Sequence, residues 1–422
     1  MNFHSSNIKQ SVTKYYHLLL LMLFLAVIPG CDSIVFDNKI DTILEPVDQV
    51  NFLSVSSSAI NDSTWTKTPN REKAVRLLIG KIEGYESAAL LRFGKLSELP
   101  VESLIKSLFV QLTVINTISK QPSSSILLSM YRNRVEWNEN NVVNLKLEDF
   151  APLPEDLIDT TTVLWRNSDS TSENFSFDIP FSLVQSWIDS SDTNGVIIIG
   201  DSSSDFIISS PARTSALSSS LEPLLQVKYT DSDTTISTGI SATGNGYLLS
   251  ISTGLPLSDP DRTYIGGGKA YRGIYKFNSG LFDGISETSK ISRAELNLAI
   301  DVSRSILPIK NSSVTGIGDT LYFSYLDSSS ESGDLFPTPQ SNFSFAKIPI
   351  DGNIISLNMT NILQTWVSDN IEERGLVIWS GSEESHLFRV ALYKEGCDVT
   401  ADASCVEPEL NIYYTTTEGI EE

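Results

Sequence analysis

The sequence predicts an all-β protein: two tandem jelly-roll-like antiparallel β-sandwiches, each with a short Trp-containing helix. Three observations predict it. Sequence blocks recur in order at a near-constant offset. Most blocks alternate apolar and polar residues with period two, the mark of half-buried strands in antiparallel sheets. Clusters of Ser, Thr, Asp and Asn separate the blocks, and short strands between polar turns build sandwiches or jelly rolls. The chain has 422 residues and 41% hydrophobic content, enough for real cores and for two or three domains.

The N-terminus reads as an address. Lys9 and Lys14 precede an unbroken apolar run from Leu18 to Ile28. That run is short of the ~20 residues a helix needs to span hydrocarbon. Residues 1–30 are therefore expected to be a signal peptide. The run ends in Ile28-Pro29-Gly30-Cys31, which resembles the bacterial lipobox. The resemblance implies cleavage before Cys31 and attachment of acyl chains such as palmitate to that cysteine. Several chains at ~0.8 kcal/mol per buried CH₂ give lasting attachment. Residues 31–49 lack periodicity and are expected to form a lipidated tether. The expected location is a bacterial membrane surface, facing the periplasm or the cell exterior, with the membrane as partner through the lipid anchor.

Internal repetition sets the domain plan. Leu78-Ile79-Gly80 with Ala89 to Phe93 matches Tyr264-Ile265-Gly266 with Gly273 to Phe277, and Phe93 to Phe277 is 184 residues. Ile105 to Leu112 matches Ile291 to Leu298, an offset of 186. Leu183-Val184-Gln185-Ser186-Trp187-Ile188 matches Ile362-Leu363-Gln364-Thr365-Trp366-Val367, and Trp187 to Trp366 is 179. Glu222-Pro223 to Thr230 matches Glu407-Pro408 to Thr415, and Tyr229 to Tyr414 is 185. The expected domains are 50–230 and 237–416, with Asp231 to Thr235 as a polar linker. Asn174-Phe175-Ser176-Phe177 also recurs as Asn342-Phe343-Ser344-Phe345, but at an out-of-register 168.

The third block departs from period two. Leu183, Val184, Trp187 and Ile188, like Ile362, Leu363, Trp366 and Val367, form a helical stripe of about two turns. Such a helix is expected to plug one end of each sandwich, with Trp187 and Trp366 as structural core. Gly195 to Gly200, a continuous apolar run bounded by glycines, reads as a central strand.

Together these blocks resemble the DNRLRE-domain family. Its pattern is an apolar-Arg-Phe strand, an Ala-Lys/Glu-Leu-x-Leu strand, an apolar-x-x-Trp helix, an Asn-Gly turn with an apolar strand, and a Pro-x-Leu-x-apolar-x-Tyr strand. Here those elements are Leu90 to Phe93, Leu108 to Leu112, Leu183 to Trp187, Asn194 to Ile198 and Pro223 to Tyr229, with a second set from Tyr275 to Tyr414. The resemblance implies extracellular jelly-roll modules, often appended to glycan-active enzymes and in some cases binding polysaccharide.

Charge and composition narrow the chemistry. Net charge is −22, from 52 acidic and 30 basic side chains, and becomes −24 if Lys9 and Lys14 leave with a signal peptide. Phosphate recognition needs basic patches, so no nucleic-acid partner is expected. The three histidines are His4, His17 and His386, too few for a His-rich metal site. Gly266-Gly267-Gly268 leads into a strand-like stretch, so it is not a phosphate loop.

Trp65, Trp137 and Trp379 have polar neighbours or end a strand. Each is a candidate glycan platform or, alternatively, a strand-edge or loop anchor. Asp189, Asp192 and Asn194 cluster before Gly195 and offer oxygen ligands for calcium without EF-hand spacing; solvated turns are the alternative. Cys397 and Cys405, eight apart in an exported chain, are expected to form a local disulfide. No carboxylate pair suited to glycoside hydrolysis stands out. The expected function is a non-catalytic glycan-binding or cell-surface accessory role. A structural or adhesion protein that binds other proteins, such as cell-surface proteins, or only spaces something outward is the alternative, and a carboxylate-based glycan-active enzyme ranks third.

Overall fold

The computed structural model describes residues 48–55, 60–67, 75–119, 125–164, 173–189, 195–201, 205–213, 221–251, 259, 261–268, 270–307, 320–326, 343–349, 353–369, 371, 374–381, 383, 387–398, 400 and 402–417. The expected signal peptide, Cys31 and nearly all of the tether lie outside them. Among the described residues no helix is long and apolar enough to cross a membrane. Val50–Thr416 is one compact unit; the other, Met1–Gln49 with Thr417–Glu422, is described only at strand ends.

The fold is all-β, built as antiparallel sandwiches. In the first, β3 (Arg76–Ile82), β4 (Tyr85–Phe93), β6 (Asn116–Ser119), β7 (Ser125–Arg132), β8 (Leu157–Leu164), β10 (Val196–Gly200) and β11 (Phe206–Pro211) form a forked sheet. β4 pairs β3 through Tyr85–Ser87 and β10 through Ala88–Leu91. From the fork, β10 continues to β7 and β8, and β3 to β11 and β6. A second sheet runs through β12 (Leu224–Asp231), β5 (Ile105–Val114) and β9 (Glu173–Asp178). The second sandwich repeats this plan. β15 (Ala270–Phe277) meets β14 (Arg262–Gly266) and β20 (Arg374–Ser380); β20 continues to β17 (Thr320–Tyr325) and β18 (Ser344–Lys347), and β14 to β21 (Arg389–Tyr393). Its other sheet runs through β22 (Glu409–Thr417), β16 (Lys290–Ala299) and β19 (Ile354–Asn358).

Every repeated block thus lands on matching elements. The repeated glycine has a steric cause at the fork. A Cβ on Gly80 (φ +125°) would sit 2.2 Å from the Phe206 carbonyl oxygen, and one on Gly266 would sit 2.1 Å from that of Phe388. Only glycine lets the crossing strands approach this closely. The Asn-Phe-Ser-Phe recurrence is not structural. Phe175 and Phe177 are buried on β9, which pairs β5, whereas β18 pairs β17.

The helices α1 (Phe181–Asp189) and α2 (Thr360–Ser368) bury the expected stripes: Leu183, Val184 and Trp187 in one, Ile362, Leu363, Trp366 and Val367 in the other. Trp366 packs against Phe277 and Phe282 at ring distances of 5.5 and 6.3 Å. Side chains on α2 also hold β16: Thr360 Oγ1 accepts from the Ala294 amide and Gln364 Oε1 from that of Ile291.

The strand pairing departs from the expected boundaries in two ways. Asp231 to Thr235 is not a linker. Asp231 pairs Thr234 across a two-residue turn in which Ser232 and Asp233 have φ of 46° and 67°. Both central residues are left-handed, as a tight hairpin requires. The strand that follows, β13 (Thr234–Ile251), therefore folds back onto the first sandwich. It pairs β12 as far as Ser241, bulges near Thr243, and then pairs β4 through Ile251. A bulge bends the strand from one sheet to the other. In turn β1 (Asp48–Val55) and β2 (Ile60–Lys67), expected in the first domain, join the second sandwich. β1 neighbours β22, and β2 pairs the whole of β15.

The outer faces of the two forked sheets meet in a buried cluster that includes Leu78, Tyr85, Ile207, Tyr247, Tyr264, Tyr271 and Leu387. Tyr85 donates to the Tyr271 hydroxyl at 3.1 Å. The bond ties β4 of the first sandwich to β15 of the second. Arg389 crosses the same seam to Glu83 Oε2 at 2.8 Å.

Candidate functional site

The outer face of each forked sheet, on the β10/β7 or β20/β17 side, presents a distinct surface. β20 replaces β10 and β17 replaces β7, so the Trp379–Tyr322 pair stands where the Ile199–Ser129 pair stands in the first repeat.

In the first sandwich that face carries a groove of about 520 Å³. Its floor includes Leu127, Ser129, Tyr131 and Ile199, its acidic groups are Glu86, Glu148 and Asp201, and Leu147, Ala151 and Pro152 form one wall. The wall is held by Trp137. This residue is 2% exposed and packs with Leu90, Val142, Phe150, Ile197 and Leu248. Arg92 lies over its ring at 5.6 Å and donates to its carbonyl. Beside it, Glu139 Oε1 accepts from the backbone and side-chain nitrogens of Asn245 on β13. Trp137 is therefore a loop anchor with its ring faces covered, not a glycan platform. Its signal was present elsewhere in the sequence. β4 and β10 are apolar on both faces, so something had to cover the outer one.

In the second sandwich the same face is aromatic. Trp379 stacks on Tyr322 at 6.0 Å with rings 26° apart, and Phe343 meets Tyr322 edge-on at 5.1 Å. Trp379 is only 9% exposed, so it backs the cluster rather than surfacing it. Phe343 and Phe345 are the exposed members, at 52% and 65%. Phe345 lies opposite Tyr322 in the β17–β18 register, with Lys347 two residues along. Sequence reasoning named Trp379 and missed Phe343, Phe345 and Tyr322. The recurring Asn-Phe-Ser-Phe drew attention to two of them, but only strand pairing puts them outward.

Trp65 lies on β2 opposite Arg272, with its side chain outside the described residues. Asp189 is exposed at the end of α1, where it accepts from Gln185 at 2.8 Å; Asp192 and Asn194 lie outside the described residues, as does His386. Among the described residues no three His, Cys, Asp or Glu side chains converge to hold a metal ion.

Cys397 and Cys405 form a disulfide with Cα atoms 6.1 Å apart. The loop it closes supplies Asp402, which accepts from Tyr393 at 2.7 Å and from Arg262 at 3.0 Å. Hydrogen bonds from Ser404 and Tyr393 pull the Asp402 carboxyl down to about 2. Loop-entropy reasoning gives the bridge about 2–3 kcal/mol. Reduction is expected to lower the Tm of the native chain and leave that of Cys405→Ser unchanged. An equal Tm with and without reductant would refute that stabilising role. No family model matches this chain, and no curated protein matches it.

Proposed function

We propose that the protein is a non-catalytic, membrane-anchored extracytoplasmic lipoprotein that binds glycans at a cell surface. The observation that carries the binding reading is the aromatic face of the second sandwich. Phe343 and Phe345 offer flat apolar surface to solvent, with Tyr322 and Trp379 packed behind them. Sugar rings have apolar faces that stack on such surfaces, while hydrogen-bonding groups at the rim fix orientation. Lys347 on the same strand supplies one such group. The groove at the corresponding place in the first sandwich supports the reading, because its carboxylates and the Tyr131, Ser129 and Ser250 hydroxyls suit sugar hydroxyls. The anchor rests on the lipobox-like Ile28 to Cys31, and the extracytoplasmic setting on that segment and on the Cys397–Cys405 disulfide. The likeness of the repeated blocks to DNRLRE domains points the same way.

A glycan array probed with the chain from residue 32 onward tests this. Binding to at least one polysaccharide is expected. Phe343→Ser with Phe345→Ser should weaken it by roughly 5- to 150-fold, from about 0.5–1.5 kcal/mol per lost aromatic contact. Both side chains are exposed, so Tm should hardly move. A blank array, or full affinity in the double variant, would leave the surface-protein reading in its place.

A further inference from the structure

β1–β2 and β13 are the same element of the two repeats. β1 followed by β2, and β13 by itself, each lie beside the last strand of one sheet and then pair the central strand of the forked sheet. Taking each repeat to begin with this element, the first repeat is β1–β12 and the second β13–β22. Each opening strand then closes the sandwich of the other repeat. On that division the molecule is organised as a strand-exchanged pair fused into one chain.

The two exchanged strands are held differently. β13 is tied to its neighbour β12 by a two-residue turn. β1–β2 has no such tie to β22 or β15. Among the described residues the next strand after Lys67 begins at Arg76, in the first sandwich. The β1–β2 seam is closed, among the described residues, by non-covalent contacts alone. Asn51 donates to Thr416 Oγ1 at 3.2 Å and Ser54 to Glu409; Phe52 packs on Tyr413 at 4.8 Å; Ile60, 1% exposed, enters the core. Every one of these contacts is available to the same strand from another copy.

We propose that two copies of this chain exchange β1–β2, each closing the second sandwich of the other in a two-fold dimer. The partner is a second copy, because the seam is closed by contacts that β1–β2 itself makes and each repeat's opening strand already completes the other repeat's sandwich. In dilute solution the short connection to β3 keeps the strand at home, at an effective concentration on the order of mM. Exchange competes when copies are crowded or the seam is transiently opened. It is a closed, self-complementary arrangement, unlike a one-way donation that would run on into fibres.

The test uses two chains from residue 32 onward, one carrying Asn51→Cys and the other Thr416→Cys. They are mixed, opened in sub-denaturing urea, returned to native buffer at increasing concentration and oxidised. A disulfide-linked pair of one chain of each kind is expected, increasing with concentration and suppressed by excess synthetic peptide 48–67. Neither chain alone should give it. A third chain with both substitutions should close its own 51–416 bond as a monomer in dilute solution. Monomers only in the mixture at every concentration would overturn the proposal, and so would failure of the doubly substituted chain to close. Both positions are half-buried at the surface, and an unchanged Tm for each variant confirms that the fold is retained.

Discussion

Arg262→Ala is expected to lower the unfolding free energy by about 3–5 kcal/mol at neutral pH, the range for breaking a buried ion pair from one side. Arg262 is 5% exposed on β14. Its Nε donates to Asp301 Oδ2 at 2.8 Å, Nη2 to Asp402 Oδ2 at 3.0 Å and Nη1 to the Asp261 carbonyl at 2.8 Å. The guanidinium lies 4.0 Å over the Tyr393 ring. Asp301 is itself 3% exposed. Without Arg262 its nearest remaining cation is Arg304, 3.8 Å away and half exposed. The loss is thus a buried carboxylate left with a single longer, half-exposed ion-pair partner, plus the packing over Tyr393.

The pH profile separates this from simple loss of volume. Burial alone would raise Asp301, but Ser303, Arg262 and the Arg304 amide outweigh it and hold the carboxyl below its usual range. Asp259 is held low in the same way: the Asp261 amide, Tyr264 and Arg304 outweigh its burial. A depressed folded pKa stabilises the protein above the unfolded value and is lost as pH falls through the folded one. In the native chain stability should therefore fall as pH drops below about 4. Urea midpoints across that range should show a shallower acid limb in Arg262→Ala. A midpoint within experimental error of the native chain at pH 7 would dismiss the ion pair as a stabiliser.

Asp62→Asn should do the opposite and stabilise the protein. Asp62 sits on β2, its side chain 5% exposed, accepting from Thr263 at 2.9 Å with Lys394 Nζ 4.0 Å away. Burial pushes its carboxyl up to about 6, against the lowering effect of Lys394 and Thr263. Glu395 adds a smaller upward push. The folded value is above the unfolded one, so the folded state binds the proton more tightly. Stability should decline as pH rises from about 4 to about 6 and stay reduced above it. The shift corresponds to about 3 kcal/mol. Asparagine keeps an acceptor for Thr263 and carries no charge, so the variant should recover most of that energy at pH 7.5. Its stability should also be flatter between pH 4 and 6. Thermal melts at pH 4.5 and 7.5 decide the matter: a variant no more stable than native at the higher pH rules the burial cost out. Because Asp62 lies on the closing strand, the same change should tighten the β1–β2 seam.

Much of the local structure was legible because it repeats. Leu108, Val110 and Leu112 face the core with partners Ala294, Leu296 and Leu298 for the same reason: alternate positions of a strand share one face. The Trp helices were legible from their i, i+1, i+4 spacing, and the Cys397–Cys405 bridge from its short separation. Trp137 misled because its sequence neighbours are polar; its spatial neighbours, Leu90, Ile197 and Leu248, come from three distant strands. Phe343 and Phe345 look like Phe175 and Phe177 in sequence. They differ in exposure because their strands occupy different places in the sheets.

By itself the sequence determined the strands, the two Trp-bearing helices, the twofold repetition and the all-β class, since each depends on residues close together in the chain. Tertiary structure alone decided which sandwich each opening strand completes. Both sandwiches offer the same kind of edge, one beside β12 and β4, the other beside β22 and β15. Local patterning is blind to that choice, and the two-residue turn after Asp231, which commits β13 to the first sandwich, leaves only the second for β1–β2.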